Sequence, residues 1–460
     1  MLGDQETIAA ISTAKGIGAL SIVRISGSQT PEILKKSFVS GATTTVWESH
    51  RAHYGFWCDP QSKNKLDEVL MLYFSPGKGF TGEEAAEIIC HGGIEVTSQV
   101  LSAVLSAGAR LARPGEFTYR AVMNNKMDLA QAESVLEIIQ ARTPQAAALA
   151  LKNIQGALSE KLSAFEKEII FLLANLEASI DFTTEDIQPV KYSEMMKRLI
   201  PVIENVENLL KTYLPSRVTK FGLRTVLAGK PNGGKSSLLN ALLGASRSIV
   251  DENPGTTRDT IEAEANLAGQ FFCFVDTAGL RSATTKVEGH GVVRAYDEIK
   301  SADIIVYVVD GAQGLSNQDV EEIKKLEINR TLICFNKSDL NSNAIGALSL
   351  FGLENYNAIV SSAIAAQGIE SLVNALLKLA QERSFGGEVD GAISTQRQKE
   401  GLEKTLLSLN EAKTSLAKDL SPDLISFSLR EALSAIENTL GKNVSEDVMD
   451  RVFKEFCIGK

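Results

Sequence analysis

The sequence predicts a multidomain chain of the α/β plus all-α class, with an α+β N-terminal domain, a helical bundle domain and a P-loop α/β domain inserted within the helical part. Three observations predict it. At 460 residues the chain exceeds the size of one compact core, and about three domains of ordinary size are expected. Ala, Leu, Glu and Lys dominate from Asp128 to Phe182 and again from Ser384 to Lys460, with apolar residues recurring at three and four positions. Between these stretches, short β-branched runs alternate with helical ones, the pattern of a parallel sheet with crossover helices.

Taken in order, TIAAIST and ALSIVRIS read as two strands flanking the turn Lys15 to Gly18. Further strands are expected at Ala52 to Trp57 and Asp67 to Phe74. The texture turns helical beyond Arg113-Pro114-Gly115. The runs TVLAG at Thr225, FFCFVD at Phe271, IIVYVVD at Ile304, TLICFN at Thr331 and NAIVSS at Asn357 supply the strands of the inserted domain. Ser421-Pro422-Asp423 and Ser445-Glu446-Asp447 mark helix starts near the end. The expected boundaries are 1–118, 119–216, 217–383 and 384–460, the second and fourth forming one helical domain around the third.

Composition narrows the function. Apolar content of 44% and charged content of 23% are those of a folded chain, and the net charge of -10 argues against a broad nucleic-acid-gripping surface, so any RNA contact is local or shared. Five cysteines without paired spacing fit neither a disulfide framework nor a CxxC metal site and suggest a reducing compartment. No apolar run approaches the ~18 residues of a membrane span, so a cytoplasmic protein is expected.

The chemistry concentrates in the inserted domain. Gly229-Lys-Pro-Asn-Gly-Gly-Lys-Ser236 matches G-x-x-x-x-G-K-[ST] between a strand and the helical run SSLLNALLG. Its glycines allow backbone N–H groups to face phosphates at a helix N-terminus; Lys235 is expected on the β and γ-phosphates and Ser236 on Mg²⁺. Asp276-Thr-Ala-Gly279 ends the second strand, where a carboxylate can hold the metal's water shell and the Gly279 N–H can sense a γ-phosphate. Asn336-Lys337-Ser338-Asp339 ends another, placing a carboxylate to accept from guanine N1–H and the exocyclic amine, a donor pair that adenine lacks. Ser361-Ser362-Ala363 is similar to the short loop whose backbone reads guanine O6. The expected GTP-binding set is Asn232, Gly233, Gly234, Lys235, Ser236, Ser237, Asp251, Thr256, Thr257, Asp276, Gly279, Asn336, Lys337, Asp339, Ser362 and Ala363.

Ras-like GTPases place a water-orienting Gln after D-x-x-G. This chain has Leu280, so another group must position the water or hydrolysis is slow. In Asp251-Glu-Asn-Pro-Gly-Thr-Thr-Arg-Asp259, Thr257 is the expected second Mg²⁺ ligand. With Asn232 this loop resembles the potassium site of cation-dependent GTPases, in which K⁺ supplies the charge of an arginine finger. By that resemblance the K⁺ ligands are Asn232, Asp251, Asn253 and Thr256.

The remaining segments select one family. SIVRISG with Arg24, FTGEEAAEIICHGG from Phe80, RPGEFTYRAVMNNKMDLAQAE from Arg113 and the terminal Cys457-Ile-Gly-Lys460 resemble the tRNA-modification GTPases of the MnmE (TrmE) family over nearly the full length. The resemblance implies a folate-binding N-terminal domain, a helical domain and an inserted Ras-like G domain. It also implies a homodimer held by the N-terminal domains, and a flavoprotein partner, MnmG (GidA), that carries the FAD. Their joint product is an aminomethyl or carboxymethylaminomethyl group at C5 of the wobble uridine of certain tRNAs, its carbon supplied by a tetrahydrofolate derivative (5-formyl- or methylene-tetrahydrofolate). Matching positions place folate contacts at Arg24, Glu87, Lys126 and Lys460, and a water-orienting glutamate at Glu288. Cys457 invites a catalytic thiolate, although no neighbouring base is evident in the sequence. The competing readings are an RNA-binding ribosome-assembly or regulatory GTPase without modification chemistry, and a folate enzyme whose G domain only regulates. A mixed-charge helical tail without a G-x-x-G loop weighs against the former.

Overall fold

The structure is a computed structural model that describes residues 6–14, 16–41, 47–181, 192–213, 215–216, 218, 222–245, 262–276, 298–340, 348–382 and 390–460. The fold is α/β plus all-α, as the sequence patterning predicts. The chain forms two compact units, one of Met1–Leu136, Asn153–Val206 and Glu400–Lys460, the other of Glu137–Lys152 and Glu207–Lys399.

The first unit opens with β1 (Ile8–Ile11), β2 (Leu20–Ser26), α1 (Thr30–Ser37), β3 (Phe38–Ser40), β4 (Ala52–Cys58), β5 (Lys65–Phe74), β6 (Ala85–His91), α2 (Ile94–Ala107), β7 (Arg110–Leu111) and α3 (Glu116–Met123). Its seven-stranded sheet has the order β3-β4-β5-β6-β2-β1-β7, antiparallel throughout except for the β1/β7 pair. Alternation along β2 explains the layering: Val23 and Ile25 point into a core with Ile33, Leu34, Val100 and Val104 of the two helices, while Ile22 and Arg24 point to the opposite face. Register then sets Arg24 directly across from Glu87 of β6.

Helices α4 (Leu129–Gln140), α5 (Pro144–Ile154), α6 (Ala157–Asp181) and α7 (Tyr192–Leu210) follow, as the Ala- and Leu-rich texture predicts.

The P-loop sheet of the second unit is formed by β8 (Leu223–Ala228), β9 (Glu262–Leu267), β10 (Gln270–Asp276), β11 (Ile304–Asp310), β12 (Thr331–Asn336) and β13 (Asn357–Val360). Its helices include α8 (Lys235–Ala245), α9 (Asn317–Ile323) and α10 (Ile369–Gln381). The order is β13-β12-β11-β8-β10-β9. Five strands run parallel, but β9 pairs antiparallel with β10 and corrects the all-parallel expectation. The central β11 is buried on both faces, as its unbroken apolar run requires, so apolar clusters flank the sheet on either side.

The C-terminal helices are α11 (Gln396–Ala417), α12 (Pro422–Leu440) and α13 (Glu446–Lys454). Ser421 and Ser445 occupy the N-cap positions the sequence suggests, yet neither side chain makes a capping hydrogen bond. Within the first unit, Met449, Phe453 and Phe456 pack on Tyr119, Leu129 and Leu136, which carries the last residues of the chain to α3.

Candidate functional site

The phosphate-binding turn sits where β8 gives way to α8. Gly229 has φ +121°, and a Cβ there would lie 2.3 Å from the Val308 carbonyl, so only glycine fits against β11. Gly234 has φ +90°, and its Cβ would lie 2.3 Å from Asn336 Nδ2. Gly233 is buried, and Ser237 lines the neighbouring pocket. The buried Lys235 ammonium donates to the carbonyls of Gly229 (2.8 Å) and Lys230 (2.7 Å), which holds it within the turn. Ser236 Oγ donates to Asp276 Oδ2 at 2.7 Å, bringing a hydroxyl and a carboxylate from two motifs to one point. Both are hard oxygen donors of the kind Mg²⁺ selects.

A pocket lined by Gly234, Ser237, Asn336, Lys337, Asp339, Ser362, Ala363 and Ile364 lies beside the turn. Asp339 Oδ1 accepts from Ser362 Oγ at 2.5 Å, which fixes the carboxylate expected to read guanine. Asp339 is exposed, contrary to the buried carboxylate that discrimination suggests, because it stands on the loop beyond β12. The other motif residues bind the loops to one another. Buried Asn336 donates to the Gly233 carbonyl (3.2 Å) and accepts from the Ala363 N–H (3.1 Å), so in this structure that N–H is engaged by Asn336. Lys337, at φ +62°, donates to the Asn232 carbonyl (2.8 Å) and to Asp310 Oδ2 (2.7 Å). Asn232 has φ +64° and is exposed at the crest of the turn. The expected contributors Asp251, Asn253, Thr256, Thr257, Gly279, Leu280 and Glu288 lie outside the described residues.

A second site lies on the outer face of the N-terminal sheet. Arg24 pairs with Glu87 (Nε–Oε1 3.0 Å and Nη2–Oε1 2.8 Å), and its guanidinium lies 5.4 Å from the Phe80 ring centre and 5.6 Å from that of Phe117. It also donates to the Gly459 carbonyl at 3.4 Å. Ser12 Oγ donates to the same carbonyl at 3.1 Å, and the Phe117 N–H donates to the Lys460 carbonyl at 3.2 Å, so the chain terminus docks on this sheet. Burial, with the Arg24 charge nearby, lowers the Lys460 ammonium pKa below the ordinary lysine value, while Glu87 and Cys457 act in the opposite direction.

A cavity of about 150 Å³ adjoins the pair and is lined by Arg24, Glu87, Lys78, Phe80 and neighbouring residues. Lys126 does not line it: its ammonium donates to the Gly77 carbonyl at 3.1 Å on the loop that forms one wall, and the lysine among the lining residues is Lys78. Cys457 is exposed and lies past the C-terminal end of α13, not at a helix N-terminus of the kind that activates reactive cysteines.

A family model described as the MnmE helical domain matches residues 129–457, and one described as the GTP-binding protein TrmE N-terminus matches residues 7–126. The tRNA modification GTPase MnmE of Syntrophus aciditrophicus (strain SB) is 39% identical over 456 residues, covering 99% of this chain and 100% of that protein. That of Bdellovibrio bacteriovorus is 38% identical over 478 residues, covering 99% of this chain and 98% of that protein. The chain belongs to the tRNA modification GTPase MnmE family.

Within this MnmE family chain, motif reading missed Lys78, Phe117 and Asp310. Phe117 stands within a family-like segment and Lys78 two residues before another, but only the fold brings them to Arg24 and its cavity. Asp310 ends an apolar strand, as Asp276 does, a position that is itself a signal. Among the described residues no cluster of three or more His, Cys, Asp or Glu suits a metal ion, and no helix is long and apolar enough to cross a membrane.

Proposed function

We propose that the chain binds and hydrolyses GTP and, with a flavoprotein partner of the MnmG (GidA) kind, installs an aminomethyl-type group at C5 of the wobble uridine of tRNA. The observation that carries the nucleotide half is the Asp339 carboxylate, held by Ser362 beside the P-loop, where guanine offers two donors and adenine offers none. Family membership over nearly the whole length supports the tRNA half.

In this reading Lys235 leaves its loop carbonyls for the β and γ-phosphates, and Ser236 with Thr257 holds Mg²⁺. Bound there, the ion neutralises charge on the phosphate oxygens. Asn232, with Asp251, Asn253 and Thr256, takes a potassium ion, and Glu288 orients the attacking water in place of the glutamine that Leu280 replaces.

The folate reading rests on the outer-face pair. A carboxylate such as Glu87 suits the amide and amino edge of a pterin, and Arg24, Lys126 and Lys460 bring positive charge for a glutamate tail. The cavity of about 150 Å³ falls below the ~300–1,000 Å³ of pockets that enclose a drug-sized ligand, so the pterin end enters and the remainder lies across the open face. That face is exposed at the apolar side chains of Leu20, Tyr54 and Leu70, which supports a homodimer formed through the N-terminal sheets.

Two measurements test the proposal. Wobble uridines in tRNA from cells lacking this protein should be unmodified, and full modification would reject the tRNA assignment. GTP turnover should be much faster in K⁺ than in Na⁺, whereas equal rates would remove the potassium site.

A further inference from the structure

The P-loop is held from outside by a network that the nucleotide motifs do not include. Lys230, its second residue, contributes its main chain to the turn: its carbonyl accepts from Lys235 Nζ and from the Gly233 N–H (3.4 Å). Its side chain runs instead to the start of α9. The ammonium lies 3.3 Å from Asp319 Oδ2 and donates to Ser316 Oγ.

Asp319 is buried, and its carboxylate is fully engaged. It accepts from the Ser316 N–H (3.0 Å) and Ser316 Oγ (2.5 Å), which completes the capping box of α9, and from Tyr307 Oη (3.1 Å). Tyr307 lies within 2.8 Å of Glu322 Oε2 on the next turn of the same helix, and on β11 it is the register partner of Ala228, the residue before the P-loop. Lys230 is therefore the cation of a buried acidic group whose other partners are fixed by a helix cap and a central strand. A charged hydrogen bond to a group so constrained transmits that rigidity to the turn.

We propose that Lys230 and Asp319 form a positioning pair that holds the P-loop main chain in its phosphate-binding shape. Neither residue lines the pocket beside the turn; the pair acts through the Lys230 carbonyl, which sets where the Lys235 ammonium rests. This inference rests on the GTP reading, and it names a determinant of affinity that the family's nucleotide motifs leave out.

The test measures GTP affinity and steady-state turnover for the full chain and for Lys230→Met, Lys230→Arg, Asp319→Asn and the Lys230→Met/Asp319→Asn double variant. Wild-type binding of GTP checks the underlying reading separately. Lys230→Met is expected to weaken GTP about tenfold, appearing in KM more than in kcat. Lys230→Arg should restore affinity, and the double variant should be no weaker than the worse single one, since both substitutions cut one connection. A Lys230→Met protein that binds GTP as tightly as the wild type overturns the proposal, as does strict additivity in the double variant. Should Asp319→Asn unfold through loss of the helix cap, the Met and Arg variants at position 230 still decide the matter.

Discussion

At the scale of single residues, the Arg24–Glu87 pair illustrates how a sheet register becomes a candidate binding site. The two residues lie 63 positions apart and meet because β2 and β6 align them on the face turned away from the helices. Phe80 and Phe117 flank the guanidinium, so Arg24 is held by packing as well as by charge. Replacing Arg24 with Ala should lower the affinity for 5-formyl-tetrahydrofolate by at least about tenfold in calorimetry. Unchanged binding heat would mean that the folate lies elsewhere. Residue types in motif order made the nucleotide residues legible from sequence, because Gly229, Lys235, Asn336 and Asp339 belong to short contiguous spacings. Lys126 was less so: its ammonium is held by the Gly77 carbonyl, and Lys78 of the same loop borders the cavity instead.

At the scale of elements, α3 is anchored by a buried charge cluster. Glu116 is 3% exposed and accepts from Arg110 Nη2 (2.6 Å), from the Arg113 N–H (2.9 Å) and from Arg120 Nη2 (3.0 Å). Burial favours its protonated form, but Arg110, the Arg113 N–H and Arg120 outweigh burial and lower its pKa from 4.5 to about 2. Because the folded value lies below the unfolded one, the stabilisation is complete above pH 4.5 and is lost as the pH falls through the folded value of about 2. A depression of this size corresponds to roughly 3 kcal/mol. Acid titration of Glu116→Gln, followed by circular dichroism, should therefore show lower stability at neutral pH and a flatter decline between pH 4.5 and 2. An identical acid profile for variant and wild type would contradict this role. The elements themselves were largely legible, since β11 and the Ala- and Leu-rich helices carry strong periodicity. The edge strand β9, EAEANL, was not: its alternating small and charged residues suit an edge that buries one face only, and they resemble a surface loop.

At the scale of the whole molecule, the chain's two ends meet on one sheet. Gly459 lies 435 positions from Arg24 and accepts its hydrogen bond, an arrangement that no local spacing announces. The same outer face leaves Leu20 62%, Tyr54 50% and Leu70 42% exposed beside this junction. If two copies associate through it, Leu70→Lys should shift the sedimentation profile from dimer towards monomer while each copy still binds GTP. A wild-type chain that sediments as a monomer would remove the homodimer. Net charge was informative at this scale too: a value of -10 leaves no general affinity for RNA and is consistent with tRNA reached through a local surface or a partner.

The proposed activity depends on a guanine-selective nucleotide site, and Asp339→Asn examines it most directly. Guanine presents two donors to the carboxylate, whereas xanthine presents one donor and one carbonyl, the complement of an asparagine amide. Titration of wild type and variant with guanosine and xanthosine triphosphates should show the variant losing about a hundredfold or more in GTP affinity and gaining affinity for the xanthosine nucleotide. A variant that keeps wild-type GTP affinity and gains nothing for xanthosine triphosphate would contradict the account.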